Sequence, residues 1–343
     1  MKKYLLITNI IFSLSYAAII NVGQEGIYDF NTIQSGIDNA LTGDTVLVHP
    51  GVYYENIILD KSITLTSLAI FDNLDNWFEY NNLINQYEVI NDNIINTIID
   101  GSYADFSGSG GFGPIELENH VGSSIFVASF NDECISPIIT GFTIQNGLGT
   151  ISWRDGWYGY YKKRGGGIFS YMSDPRINYN NFRNNGLSDI EYGGAIYFQT
   201  EPLSLYDSFG SLNSCEFTEI NLQNNFYDSN YSKFANTFSS KNFYGDLHLE
   251  NSLFDVFDCS DTSFTKIWLD VPSETNIYYS GIQTNRCAST NDIWVSNSGI
   301  DSPESGDIEN PLKTIRYALE IISPSLSNNI TIHLDEGIYS QRS

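Results

Sequence analysis

The sequence predicts an all-β chain that winds in coils stacked one on another, a solenoid opened by a short capping helix. Three observations predict it. Apolar, often β-branched residues recur two apart in short runs broken by turns, as in GDTVLVHPGVYYENIILDKSITLTS over residues 43–67. The junctions between these runs lack the Asn-Gly or Asp-Gly tips that antiparallel hairpins favour. Short words then recur along the chain with Gly-Gly and Asn-Asn beside them.

Composition fits such a chain. At 343 residues, with 41% hydrophobic and 14% aromatic content, there is ample apolar surface for a core. Tyr (23) and Phe (21) are abundant and Met (2) is scarce, a balance that suits strands. Forty-one acidic against 16 basic residues give a formal charge of -25, which repels phosphate backbones and argues against a nucleic-acid partner.

The first residues, MKKYLLITNIIFSLSYAAI, have the layout of a secretory signal: Lys2 and Lys3, an apolar run from Tyr4 to Leu14, and small residues at Ser15, Ala17 and Ala18. Residues 1–17 are therefore expected to be a signal peptide and the protein to be secreted, extracellular or at the cell surface. No later stretch approaches the roughly 20 apolar residues of a transmembrane helix. Export would permit disulfides. Cys134, Cys215, Cys259 and Cys287 allow three pairings, and four free thiols in a β core fit the sequence equally well.

In FNTIQSGIDNAL (30–41), Ile33, Ile37 and Leu41 fall at helical spacing, predicting a short amphipathic helix over the open end of the first coil. Strands follow, with Val46 and Val48 on one face, Pro50-Gly51 turning the chain, and then Val52, Ile57, Leu59, Ile63 and Leu65. Further on, FTIQN (142–146) precedes GGGIF (165–169), and FRNN (182–185) precedes GGAIYF (193–198). Gly permits a positive φ and close backbone approach between coils. Asn tolerates the same corners and can stack in ladders.

These words carry a resemblance. TIQSGIDNAL, GDTVLVHPGVYYENI, KSITLTS, TIIDGS and ITGFTIQNG resemble the start of a right-handed parallel β-helix of the pectin lyase-like superfamily. FRNN followed by GGAIYF is also similar to repeat words of polymorphic outer-membrane proteins. The likeness covers residues 25–230 well and 231–290 weakly. It implies a fold rather than a function, because this superfold carries lyases, hydrolases, esterases, adhesins and inert stalks. IWVSNSGIDSPESGDIENPLKTIRYALEII and NITIHLDEGIY resemble a second opening segment, with Thr314-Ile315 matching Thr32-Ile33 and Gly337-Ile338-Tyr339 matching Gly51-Val52-Tyr53. The expected organisation is a β-helix over 18–290, then a linker and the start of a second, incomplete unit over 291–343.

The catalytic words of the superfamily are missing. No two Asp are adjacent, and none of His49, His120, His248 and His333 lies in a GHG triplet. The pectate lyase words and the pectin methylesterase words QAVA and DFIFG are absent as well. A lyase that uses a lone Lys base leaves a weaker mark, for which Lys162, Lys163, Lys241 and Lys266 are the candidates.

Two local features stand out. WRDGWYGYYKKRGGG (153–167) gathers Trp153, Arg154, Trp157, Tyr158, Tyr160, Tyr161, Lys162, Lys163 and Arg164 where the coil is interrupted. Flat aromatic rings suit the C–H faces of sugars, and the cations suit acidic groups on a glycan, so this loop is the candidate glycan site. The bland alternative is that the rings pack on the neighbouring coil while the cations offset nearby acids. In DVFDCSD (255–261), Asp255, Asp258 and Asp261 are hard-oxygen ligands suited to Ca²⁺, though without EF-hand spacing. The expected function is a secreted or cell-surface, non-catalytic glycan-interacting module whose partner is a polysaccharide or cell-surface glycan. The alternatives are a polysaccharide lyase or other carbohydrate-active enzyme, and an adhesin or structural stalk.

Overall fold

Strands of three to five residues bury too little to stand alone and persist only when each stacks on its equivalent in the next coil. The computed structural model shows this arrangement. It describes residues 17–104, 120–129, 133–154, 161–186, 190–200, 215–233, 235–257, 267–270, 275–302, 305–322 and 329–339.

The chain opens with β1 (Ile19–Val22) and α1 (Ile33–Asn39). A first full coil holds β2 (Thr45–Val48), β3 (Gly51–Tyr54) and β4 (Ile57–Leu59). The second begins with β5 (Thr64–Ser67) and is interrupted by an insertion with β6 (Phe78–Asn81), β7 (Gln86–Val89) and α2 (Asp92–Asn96). It closes with β8 (Thr97–Asp100) and β9 (Ile125–Ala128). The third has β10 (Ile138–Thr140), β11 (Thr143–Gln145), an outlying hairpin of β12 (Thr150–Arg154) and β13 (Tyr161–Arg164), and then β14 (Ile168–Tyr171). The fourth has β15 (Arg176–Asn178), β16 (Asn181–Arg183), β17 (Ile190–Tyr192) and β18 (Ile196–Gln199). Next come β19 (Glu219–Asn221), β20 (Phe226–Asp228) and β21 (Phe238–Lys241), then β22 (Gly245–His248), β23 (Leu253–Phe257) and β24 (Ile267–Leu269). The winding ends with β25 (Thr275–Tyr278) and β26 (Gln283–Cys287), followed by β27 (Ile293–Val295), α3 (Ile315–Glu320) and β28 (Ile332–Leu334).

Three parallel faces result. The first runs β1-β2-β5-β10-β15 and continues alongside as β19-β22-β25. The second runs β3-β8-β11-β16-β20-β23-β26, and the third β4-β9-β14-β18-β21-β24. Antiparallel pairing among the described residues is confined to the two hairpins, β6–β7 and β12–β13. The fold is a parallel β-helix.

Each face sends one column of side chains into the core. On the first face Val46, Leu65, Ile139 and Ile177 are stacked in register and fully buried. On the second, Ile144, Phe182, Tyr227 and Phe254 are stacked, with the Phe182 and Tyr227 rings 5.5 Å apart and nearly parallel at 12°. On the third, Ile57, Ile125, Ile168, Ile196 and Phe238 do the same. Each such side chain contributes about 1.5–3 kcal/mol by leaving water.

The Gly-Gly words lie on one another. Ile168 faces Ile196, and the amides of Gly166 and Gly167 donate to the carbonyls of Gly193 and Gly194. A Cβ on Gly166 would sit 2.3 Å from the Gly194 carbonyl oxygen, so no larger residue fits. The FTIQN and FRNN words stack by their Asn rather than their Phe. Ile144 faces Phe182, and Asn146 and Asn184 occupy equivalent left-handed corners with φ of 58° and 54°.

Helix α1 packs on β1, β2 and β4, and buries Ile33 and Ile37 as the spacing predicts. Leu41 departs from the expectation. The helix stops before Ala40, whose ψ of 149° is extended, and Leu41 is 71% exposed. Thr32 caps α1 and Thr314 caps α3 in the same way, each accepting an amide three residues on. Likewise the Tyr53 hydroxyl donates to the carbonyl of His49, and the Tyr339 hydroxyl to that of Asp335, both four residues back. The repeated phrase is thus a repeated structure. Its second copy rests on the end of the winding, where Val256 shares a buried cluster with Ile293, Val295, Leu312, Ala318 and Ile321.

Cys134 and Cys215 form a disulfide, and Cys287 is also disulfide-bonded, while Cys259 lies outside the described residues.

Candidate functional site

The corners set the register of the second face. Asn180, Asn225 and Ser252 are buried, stacked corner residues, and the residue three positions after each points outward near the end of its strand: Arg183, Asp228 and Asp255. Outward placement follows from the pleat, because Phe182, Tyr227 and Phe254 between them point into the core. Earlier coils put Gln145, Asp100 and the exposed Tyr54 in the same row, since Gln145 faces Arg183 and Asp100 faces both Gln145 and Tyr54. A polar stripe, one side chain per coil, crosses the face.

Its electrostatics vary along its length. Burial would push the Asp100 carboxyl up, but hydrogen bonds from Ser102, Gln145 and Asn146 hold it below the ordinary carboxylate value. Gln145 and Asn146 donate to Asp100 Oδ2 at 2.8 and 2.7 Å. Asp228 goes the other way. Burial and then the charge of Asp255 push it up to about 6, against the opposing pull of the Ser229 hydroxyl and Arg183. Asp255 is pinned by backbone amides, accepting from Ser229 at 3.0 Å and from Val256 at 2.7 Å. A carboxyl that holds its proton more firmly than an ordinary aspartate therefore stands beside a second carboxyl.

The predicted glycan loop is a hairpin. Trp153 faces Lys162 and Arg154 faces Tyr161 across β12–β13, and β13 continues into parallel pairing with β17. The side chains of Trp153, Arg154 and Tyr161, and the whole of Trp157, Tyr158 and Tyr160, lie outside the described residues. Of the cations, Lys162 pairs with Glu191 at 3.0 Å. Arg164 is 3.7 Å from the same carboxylate, donates to the Tyr197 hydroxyl at 2.8 Å, and lies over the Tyr192 and Tyr197 rings. Those two cations tie the hairpin to the coil beneath. Lys163 sits between them on β13, facing Ile151.

Of the lone-Lys candidates, Lys241 pairs with Asp270 at 3.0 Å, and Lys266 lies outside the described residues. Of the acidic trio, Asp255 joins the stripe, and Asp258 and Asp261 lie outside the described residues. Among the described residues no three His, Cys, Asp or Glu side chains converge as a metal site.

Sequence reasoning passed over Arg183 and Asp228. They become neighbours only through stacking, since Asn180 and Asn225 are 45 residues apart while Asn225 and Ser252 are 27 apart. The available signal was a fixed offset: NNFR, NFYD and SLFD each place an aromatic and then a charged residue after the corner.

No family model matches the chain, and no curated protein matches it. Among solved structures it is similar to Escherichia coli YbhC, at 10% identity and a TM-score of 0.39, covering 96% of this chain and 87% of that one. It is also similar to two pectin methylesterase complexes with hexasaccharides. These are 11% and 12% identical with TM-scores of 0.32 and 0.33, and each comparison covers 88% of this chain and 94% of the other. The chain's own topology, three parallel faces built from one strand of each coil in turn, is that of a parallel β-helix.

Proposed function

We propose that this protein is a secreted or cell-surface β-helix that binds an extended glycan, without cleaving it, along the polar stripe of its second face. The observation that carries this is the stripe itself. Neighbouring strands repeat about every 4.8 Å, close to the length of one sugar ring, so Gln145, Arg183, Asp228 and Asp255 offer one polar group per ring, with the buried Asp100 holding Gln145 in place. Both donors and acceptors lie along it, as a polyhydroxyl ligand requires. The hairpin that follows β11 would add aromatic faces at the margin. Export is supported by the signal-like first 17 residues and by the Cys134–Cys215 disulfide, a bond that persists in oxidising compartments.

The test is a glycan array followed by calorimetry on the full chain. Arg183 is exposed, so Arg183→Ala should leave the fold intact and weaken binding about tenfold, as loss of a charge-assisted hydrogen bond would. Failure to bind any glycan, or indifference to this substitution, would overturn the proposal. One observation favours a second reading, that the same face cleaves its ligand. Asp228, whose carboxyl is pushed up to about 6, lies beside the carboxyl of Asp255, and glycosidic cleavage by two carboxyls uses such a pair. Release of new reducing ends, abolished by Asp228→Asn, would decide for the enzyme.

A further inference from the structure

On the other side of the insertion, at the beginnings of the second-face strands, lies a cleft of about 530 Å³. This size is typical of small-ligand sites, which span roughly 300–1,000 Å³. We propose that it is a second carbohydrate site and takes a short neutral oligosaccharide. The proposal does not depend on the stripe and goes beyond it.

The floor is a column of corner residues, one per coil. Tyr179, Asn224, Asn251 and Gly281 all have positive φ, of 53°, 55°, 56° and 73°. The column is in backbone contact, the Tyr179 amide donating to the Asn224 carbonyl at 2.9 Å. The wall is the β6–β7 hairpin, which contributes Trp77, Phe78 and Tyr87. Trp77 meets Phe78 and Tyr179 edge to face, with ring centres 5.3 and 6.2 Å away, and Phe78 meets Tyr87 at 5.9 Å.

This wall is held in place from the far end. The Tyr87 hydroxyl donates to Gln283 Oε1 at 2.8 Å and its amide donates to Asn285 Oδ1, both on β26. Behind it, Trp77 packs with Ile94, Phe226 and Leu253 in a buried cluster. The cleft is therefore formed before any ligand arrives, which lowers the ordering cost of binding.

Its chemistry selects the ligand. Aromatic rings line one side, suited to the C–H faces of sugar rings. On the other side Asn224 and Asn251 present side-chain amides, and among the described residues neither amide is hydrogen-bonded to protein. An amide has a donor and an acceptor side by side and so can grip adjacent hydroxyls. Among the described lining residues only Asp75 is charged and none is a cation, and the chain carries a formal charge of -25. A carboxylate- or sulfate-bearing sugar would find repulsion there and no partner. A neutral one would find rings and amides.

The experiment is calorimetry on the full chain with neutral oligosaccharides (gluco-, manno-, xylo- and galacto-series) and with oligogalacturonate as the charged comparison. Asn224→Gly with Asn251→Gly removes both amides while tolerating the left-handed corners. At least one neutral series should bind more tightly than oligogalacturonate, and the double variant should weaken that binding at least about tenfold, as expected for two lost hydrogen bonds. Arg183→Ala, on the stripe, should leave it unchanged. If the double variant melts early, Asn251→Asp decides, since it keeps size and corner but replaces the amide with a charge. The proposal is overturned if no neutral series binds, if binding ignores the asparagine substitutions, or if Arg183→Ala abolishes it.

Discussion

The side-chain carbonyl of Asn225 accepts the backbone amide of Asn180, one coil earlier, at 3.0 Å. The Asn225 Nδ2 group donates to the carbonyls of Ile177 and Leu222, both at 2.8 Å. Asn180 does the same for the coil before it, accepting from Phe142 and donating to Ile139, and Ser252 supports Asn225 from the coil after. At the next corner Asn185 and Asn230 repeat the arrangement. A corner takes backbone groups out of the strand ladder, and these amides restore their partners.

Asn225→Ala should therefore leave two buried backbone groups, the Asn180 amide and the Ile177 carbonyl, without partners, while the Leu222 carbonyl keeps the Ser252 hydroxyl at 3.2 Å. At about 1–3 kcal/mol for each unsatisfied group, and with some relaxation, the expected loss is roughly 2–4 kcal/mol in urea denaturation. A loss below about 1 kcal/mol would mean that water replaces the amide and that the ladder is not what holds the corner.

Asp228 makes stability depend on pH. Its folded value, about 6, lies above the ordinary 3.8, so the folded state holds the proton more firmly than the unfolded chain does. The contribution is fully present below about pH 4 and is lost as pH rises through 6, with a ceiling of about 3 kcal/mol from the shift and less after solvent screening. Asp228→Asn should raise the denaturation midpoint at pH 7 and change it little at pH 4. Equal effects at both pH values would place the cause elsewhere.

The Cys134–Cys215 bridge closes 81 residues of chain. The loop-entropy relation gives about 4.5 kcal/mol for a loop of this length. Replacing both cysteines by Ser should lower the melting temperature, and reductant should lower that of the parent chain by more than that of the variant, which keeps only the disulfide of Cys287. A parent melting curve indifferent to reductant would show that the bridge contributes nothing.

Much of the fold was legible because strand alternation and corner chemistry are local. Val46 with Val48 and Ile57 with Leu59 declare buried faces, and Asn184 and Asn224 declare left-handed corners. Leu41 misled because helical spacing does not reveal where a helix ends, and the extended Ala40 ends this one. The stripe and the cleft were illegible for a different reason. Their members meet through coils of unequal length, so Arg183 and Asp228 or Tyr87 and Gln283 become neighbours only after the insertions between coils have been looped out. Sequence offsets within one coil survive that, and offsets between coils do not.

The second opening segment should stabilise the winding it follows. Val256 is 1% exposed, and its buried companions Ile293, Val295, Leu312, Ala318 and Ile321 all come from beyond residue 290. Polar contacts reinforce the junction. Arg286 Nη1 donates to the Ser302 carbonyl at 3.0 Å, the Ser289 amide donates to the Ile321 carbonyl at 2.6 Å, and Arg316 lies 4.6 Å over the Tyr231 ring. Ending the chain after residue 290 would return Val256 to water, at a cost of about 1.5–3 kcal/mol, and would remove all three contacts. The truncated chain should keep its β-rich circular dichroism spectrum yet melt several degrees below the full chain. Val256→Ala in the full chain should reproduce part of that drop, because it leaves a cavity in the same cluster. Identical melting of the truncated and full chains would show that the segment beyond 290 is energetically separate and that its packing on Val256 adds nothing to the winding.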